Sequence, residues 1–457
     1  MNLTSDPIPE LIRKIAIPAS IGFFFNTMFN FVDTWFAGRI STDALAALSL
    51  SFPVFFMILA SGSGLSQGST ALIANALGRG DKAGAALLFC QAIVFALGAS
   101  VLLTVAGLLL SPTLFRTLGA EGSYLALSLE YMNVIMAGAG FFILQMTLNT
   151  LLNARGETRA FRNVLIVGFF LNVGLDPWFL YGGAGVPAMG LAGIALATVL
   201  VQALGCVYLT IHLLKLDIAE EFRPGLFVPR WARLREIAAQ SVPAGLNMLT
   251  VALGIFLITW FASRFGKEPV AGYGIATRIE QMILLPTIGL NFAVLSLAGQ
   301  NFGAGRIDRV KESWHTTLKA GVLLMAGGGL ILAFVRGPMM RFFTEDPGVL
   351  AQGTTYLGIA ALTLPAYPIL FQTVFLLQGM KRPIFGLILG VYRQFAAPCL
   401  VFWLLAFVLG WKSDGIWWGI LLITWSAAGI AVWRGNQVLR SAETQQAGRE
   451  TPKPARP

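Results

Sequence analysis

Apolar residues gather in twelve runs of bilayer length, separated by short polar stretches. Each run is long enough to predict a membrane-spanning helix. The predicted helices cover 9–37, 44–75, 84–110, 124–152, 161–181, 187–214, 236–264, 269–298, 314–336, 350–378, 384–409 and 414–436. One connection is long: 215–235, KLDIAEEFRPGLFVPRWARLR, reads as a charged, proline-bearing linker. The expected fold is an all-α integral membrane protein built as two parallel six-helix bundles. Its expected parts are an N-lobe at 1–214, the linker, a C-lobe at 236–437 and a polar, disordered tail at 438–457.

Polar positions inside two of the runs change the picture. Asp33 lies in IPASIGFFFNTMFNFVDTWFAG, and Asp176 lies in LIVGFFLNVGLDPWFLYG. A carboxylate at the centre of such a segment costs roughly 2.5–3.5 kcal/mol on insertion scales, and such residues usually face a cavity or a partner. Many of them move ions or protons, so the two acids point to an ion-coupled transporter. The competing reading is two acids satisfied by polar neighbours for packing alone.

The chain also repeats itself. Residues 18–80, shifted by 225, align without a gap to 243–305, with 17 identities in 63 positions. Two unrelated apolar stretches would share about 5, so the repeat is read as a duplication. Six helices per half give both copies the same orientation, the parallel-repeat arrangement of many transporters. In this register Asp33 faces Ile258, and with a small shift Asp176 falls near Cys399. Both acids therefore belong to the first half alone.

Composition agrees: 56% of residues are hydrophobic and 12% charged, against about 25% charged in soluble domains. The net charge of +10 is no nucleic-acid signal, because the basic residues sit in loops. Loops after even-numbered helices carry fifteen Lys and Arg, and loops after odd-numbered helices carry seven. The positive-inside rule then places both termini and the linker in the cytoplasm. Cys90, Cys206 and Cys399 are scattered in apolar sequence and suggest packing rather than a metal site or disulfide frame. The N-terminal segment lacks the features of a cleavable signal peptide. No GxxxxGK[ST], HExxH or GxSxG occurs, so neither an ATP-driven pump nor an enzyme is expected.

The duplication, the basic loops ALGRGDKAGA and QNFGAGRIDR, and the segments NFVDTWFAG and LNVGLDPWFLYG resemble the multidrug and toxic compound extrusion (MATE) family. YGIATRIEQ and GQNFGAGR, with an acid in the first helix and the pair Asn172 and Asp176 in the fifth, resemble its DNA-damage-inducible F-like (DinF-like) branch. The resemblance covers residue 10 to about residue 436. It implies a secondary antiporter that expels organic cations while protons or sodium ions enter. It also assigns Asn26 and Asn149 to the polar lining with Thr198, and Pro18 to a bend in the first helix. The sodium-coupled branch has a glutamate in the seventh helix. The matching stretch here, GLNMLTVALGIF, has none, so the resemblance does not extend to that sodium site.

The implied chemistry is compact. If Asp33 and Asp176 meet, they can share a proton and titrate as a unit. Deprotonated, the pair attracts an organic cation; protonated, it releases it. Asn172 lies one turn before Asp176 on the same helix face. Asp33, Asn172, Asp176 and Thr198 are also an oxygen set that a sodium ion could use. Phe23, Phe24, Phe29 and Phe31 would wall an amphiphile cavity if they face inward. In the second half Arg278, Glu280 and Arg393 lie deep in apolar sequence. They read either as a fixed ion pair of Glu280 with Arg393 or as a binding or gating group. No cofactor is expected beyond the coupling ion, and the expected partners are the bilayer and small amphiphilic cations, with the protein a monomer. The alternative function is a lipid or lipid-linked oligosaccharide flippase, since basic residues suit phosphate.

Overall fold

Backbone N–H and C=O groups find no water inside a bilayer, so an apolar chain of this kind must satisfy them within helices. The computed structural model, described for residues 1–450 with side chains through Ala447, follows this rule. Its α-helices are α1 (Ile8–Ile40), α2 (Thr42–Gly78), α3 (Lys82–Thr117), α4 (Gly122–Ala137), α5 (Ala139–Ala154), α6 (Arg159–Tyr181) and α7 (Gly190–Leu213) in the first half. The second half holds α8 (Trp231–Ser263), α9 (Lys267–Gly303), α10 (Ile307–Phe343), α11 (Pro347–Thr363), α12 (Ala366–Gly379), α13 (Ile384–Val391), α14 (Ala397–Phe402) and α15 (Lys412–Glu450). Among the described residues ten helices are long and apolar enough to cross a membrane, or twelve if each of two bent pairs counts as one span.

The bent pairs are the fourth span of each half. α4 and α5 meet at 42°, α11 and α12 at 52°. Pro365, which has no N–H to donate, heads the second break. Gly138 is the first break, and an added Cβ there would lie 2.3 Å from Val199 Cγ2, so the bend brings α7 against bare backbone. The eleventh span is also irregular. Between α13 and α15 the backbone widens into π-helical turns at Tyr392–Ala396 and Trp403–Val408. α11 has a side-chain cap: Asp346 accepts from the N–H groups of Gly348 and Val349 at 2.8 and 3.0 Å ahead of Pro347.

The chain forms two compact units, and their limits differ from the expected lobes. One comprises Ile17–Ile73 and Asp81–Leu249; the other comprises Met1–Ala16, Ala74–Gly80 and Thr250–Pro457. The N-terminal unit keeps the linker. Residues 215–235 do not run free but fold as two 3-10 turns, Asp217–Glu221 and Pro224–Phe227. Gln91 of α3 donates to the carbonyls of Leu226 and Val228 at 2.7 and 2.8 Å and accepts from the Arg230 N–H at 2.8 Å. Asp217 pairs with Lys82 at 2.9 Å and Arg155 at 2.7 Å, and Phe222 stacks on Phe89. These contacts hold the linker to the N-terminal unit.

The C-terminal unit gains the start of α1. Leu3, Ile8, Leu11 and Ile15 are buried in a cluster with Leu290, Ala293 and Leu297 of α9. Arg306 and Arg309 donate to the carbonyls of Thr4 and Asp6 at 2.7 and 2.6 Å. The change of unit falls between Ala16 and Ile17, one residue before Pro18, and α1 runs through that proline as a single helix. The same unit holds a contact between repeat-equivalent residues. A Cβ on Gly78 would lie 1.9 Å from the Gln300 carbonyl, and one on Gly303 would lie 2.2 Å from that of Asn75. Under the 225-residue shift these two contacts exchange, as a two-fold relation requires. The helix of the tail is a further departure. α15 continues through Glu450, with Val438 and Leu439 packed beside Ile307 and Trp314 and Glu443 paired to Lys311. Residues 451–457 lie outside the described residues.

Candidate functional site

The site grows from the packing of α1 on α6. Phe23 meets Phe161 and Phe25 meets Phe169, with ring centroids 6.4 and 5.5 Å apart. Gly22 lets the backbone of α6 come close, since an added Cβ would stand 3.1 Å from Arg162 Cα. That contact carries the later part of α1 along the face of α6 that bears Asn172 and Asp176.

The Asn172 side-chain amide then donates to both acids, to Asp33 Oδ1 at 3.0 Å and to Asp176 Oδ1 at 2.9 Å. One nitrogen serves two carboxyls, so their acceptor oxygens lie within about 6 Å, the sum of those two bonds. Thr198 of α7 donates to Asp33 Oδ2 at 3.2 Å while also reaching the Ile194 carbonyl at 3.0 Å. All four residues are buried, none exceeding 6% exposure. Pro177 follows Asp176 within α6 and deprives the carbonyl of Val173, four residues earlier, of its helical donor.

Acceptors outnumber donors here. Asn172 Oδ1 and Asp176 Oδ2 are both buried and receive no hydrogen bond. A buried polar atom without a partner is costly, and a small electropositive species satisfies several such oxygens at once. The set is all oxygen, which fits a proton held between carboxyls or a hard cation. Among the described residues no group of three or more His, Cys, Asp or Glu could hold a metal ion.

Other expected site residues fall elsewhere. Asn149 is buried on α5 with an unbonded Oδ1 and makes no described contact with the acids. Asn26 accepts from the Asn30 side chain through its backbone carbonyl. Phe29 is buried, whereas Phe24 and Phe31 are exposed. Tyr131 of α4, buried and within electrostatic reach of both acids, escaped the sequence reading because a tyrosine in an apolar run carries no signal.

Among the described residues Glu280 and Arg393 do not form the ion pair that was one of their two readings. Glu280 is buried and accepts from the Tyr356 hydroxyl at 2.6 Å. Arg393, on the first π-helical turn, lies over the rings of Tyr367 and Phe371 at 5.7 and 5.5 Å. It makes no described salt bridge to Glu280 and acts on it only through space. Tyrosines thus take the place that an ion pair was expected to fill. Arg278 is exposed, as its i,i+2 offset from Glu280 leads one to expect.

Duplicated bundles of bilayer-length helices, with two acids buried in one of them, define a polytopic membrane transporter. The MatE family model matches residues 18–178 and again 243–403, two stretches offset by the 225 residues of the internal repeat, so the chain belongs to the MatE family. It is 29% identical over 357 residues to a probable multidrug resistance protein NorM of Thermotoga maritima, covering 76% of this chain and 75% of that one. It is 28% identical over 402 residues to a FAD transporter of Shewanella oneidensis, covering 86% and 87%. The fold is similar to an outward-facing multidrug resistance MATE family transporter of the MOP superfamily, with a TM-score of 0.90, 25% identity and coverage of 97% and 98%. The chain is accordingly a multi-pass membrane transporter and not an enzyme.

Proposed function

We propose that this protein is a secondary active efflux antiporter that exports organic cations in exchange for protons or sodium ions, with Asp33 and Asp176 as the coupling acids. The observation that carries this reading is the Asn172 amide bonded to both carboxyls at 3.0 and 2.9 Å, in a site with two unbonded buried oxygens. With the coupling ion bound, the pair is neutralised and a cationic substrate is released. With the ion gone, the pair draws a cation in. Asn172 and Thr198 hold the acids in place in both states. Alternating access would then be the rocking of the two units about the helices that pass between them.

The relatives include a probable multidrug resistance protein and a FAD transporter. Two carboxylates repel a dinucleotide, which favours the organic cation. The flippase reading rested on Arg278 and Arg393, whereas the charged groups that meet in the N-terminal unit are two carboxyls. The excess of basic residues in even-numbered loops supports cytoplasmic termini and an inner-membrane location. The test is transport of an ethidium-like cation in proteoliposomes under separate proton and sodium gradients. Uptake driven by one gradient, and lost when Asp33 or Asp176 becomes Asn, is expected. Transport driven equally well without either gradient would overturn the proposal.

A further inference from the structure

Two positions that are aromatic in the first half become a carboxyl and a phenol in the second. Phe55 of α2 meets Phe142 of α5 edge-on, with ring centroids 5.4 Å apart. Under the 225-residue shift that separates the two matched stretches, these positions are Glu280 of α9 and Tyr367 of α12. The helices keep the same shift: α4 begins at Gly122 and α11 at Pro347. Conversely, Asp33 becomes Ile258. Each half therefore buries an acid at a position where the other is apolar, and Glu280 is not a copy of the first-half acids. One group is common to both. Tyr131, within electrostatic reach of Asp33 and Asp176, becomes Tyr356, which donates to Glu280 at 2.6 Å.

The Glu280 carboxyl is only half satisfied. It is 5% exposed, its Oε2 takes the Tyr356 hydroxyl, and the Tyr367 hydroxyl lies within reach. Its Oε1 is buried and has no hydrogen-bond partner. The remaining titratable or charged groups around it are Tyr273 on its own helix and Arg393 on the first π-helical turn. From α10 and α15 the surrounding cluster receives Met325, Leu332 and Trp417, which do not titrate. An ionised carboxyl here would draw the guanidinium onto its free oxygen, because a charge-assisted pair in a low dielectric is the strongest contact on offer. Arg393 instead lies over the faces of Tyr367 and Phe371, 5.7 and 5.5 Å from their centres. A cation–π contact, worth about 0.5–2 kcal/mol, does not hold an arginine against such a pull. The arrangement is that of a neutral acid beside a cation resting on ring faces. Arg393 is also carried on a π-helical turn, a rare local widening that recurs at functional sites.

We propose that Glu280 is a proton-binding carboxyl of the C-terminal unit, neutral in this arrangement, and that loss of its proton moves Arg393 from the rings onto the free Oε1. The acid O–H bond breaks, the proton passes to solvent, and the guanidinium takes up the charge left behind. Rebinding a proton returns Arg393 to Tyr367 and Phe371. This exchange of partners is separate from Asp33 and Asp176 and does not rest on the antiport reading.

The test uses full-length protein in detergent, in an Asp33→Asn, Asp176→Asn background that removes the first-half acids. Infrared difference spectra against pH follow the C=O band of protonated carboxyls above about pH 6, where exposed carboxyls are ionised. One band should fade as pH rises, and adding Glu280→Gln should abolish it. Arg393→Gln removes the cation that favours the ionised form and should raise the midpoint by about one unit, with Arg393→Lys restoring most of it. Tyr356→Phe removes a donor to the carboxylate and should shift the midpoint the same way. Absence of the band, its survival in Glu280→Gln, or its persistence unchanged to about pH 10 would each overturn the proposal. An unmoved midpoint in Arg393→Gln would overturn the exchange of partners. A midpoint that falls when sodium replaces choline in the buffer would assign the free oxygen to sodium instead of a proton. A thermal melt of each variant separates a lost proton site from lost folding.

Discussion

Replacing Asp33 by Asn separates the architecture of the acid site from its chemistry. The substituted side chain keeps the shape of the original. Its carbonyl oxygen can still accept from Asn172, as Oδ1 does at 3.0 Å, and its NH2 group stands where Oδ2 meets the Thr198 hydroxyl at 3.2 Å. The Thr198 oxygen can accept as well as donate, so at most one weak hydrogen bond is lost, about 1 kcal/mol. The melting temperature should move by no more than a few degrees. Function should change far more. A univalent cation resting about 6 Å from a carboxylate at an effective dielectric near 20 gains about 3 kcal/mol, which corresponds to roughly 100-fold in affinity. The exchangeable proton goes with the charge. Wild type should release a proton when an ethidium-like cation binds, measured with a pH dye in weakly buffered detergent solution. Its apparent affinity should then rise with pH, by up to about tenfold per unit for one proton released. The variant should release none, and its affinity should be flat with pH. Asp176→Asn should behave alike, and the double variant should be little worse than either single one, because the pair acts as a unit. A well-expressed Asp33→Asn protein that confers wild-type drug resistance with unchanged proton release would refute the reasoning.

The remaining predictions concern the frame around that site. Gly78→Val and Gly303→Val each place a branched side chain where even a Cβ would meet backbone at 1.9 or 2.2 Å, so both should abolish folded, monodisperse protein in detergent chromatography; normal elution of either would show that the contact yields. Tyr356→Phe removes the 2.6 Å bond to Glu280 and should lower unfolding stability by about 1.5–3 kcal/mol, whereas an unchanged denaturation midpoint would mean that Tyr367 or Arg393 takes over. Asp217 is held down to about 2, first by its hydrogen bond with Lys82 and then by Arg155. The folded value lies below the unfolded one of roughly 3.9. Its contribution to linker docking is therefore present above about pH 4 and is lost as pH falls towards 2. Hydrogen exchange of residues 215–235 in wild type and Asp217→Asn checks this, and the variant should match acidified wild type with only a small effect at neutral pH, because the group is half exposed.

The sequence alone determined whatever depends on the bilayer and on local register. Bilayer-length apolar runs had to be helices, because unsatisfied backbone cannot lie in lipid. The duplication was countable at a fixed offset, and Asn172 with Asp176 shared a helix face by their four-residue spacing. Tertiary structure decided which helices meet. No pattern in α1 could bring Asp33 to the Asn172 amide, because that contact depends on Phe23, Phe25 and Gly22 docking on α6. Nor could hydropathy reveal that Leu3 to Ile15 leave the first lobe for α9, or that Gln91 ties down the linker. Apolar faces look alike in sequence, and only the match of shapes and stray hydrogen-bond donors selects the partner. For the same reason Glu280 met Tyr356 and not Arg393: two charges within a lipid-embedded half can be counted from the sequence, but the neutral hydroxyl that reaches one of them first is a matter of position in space.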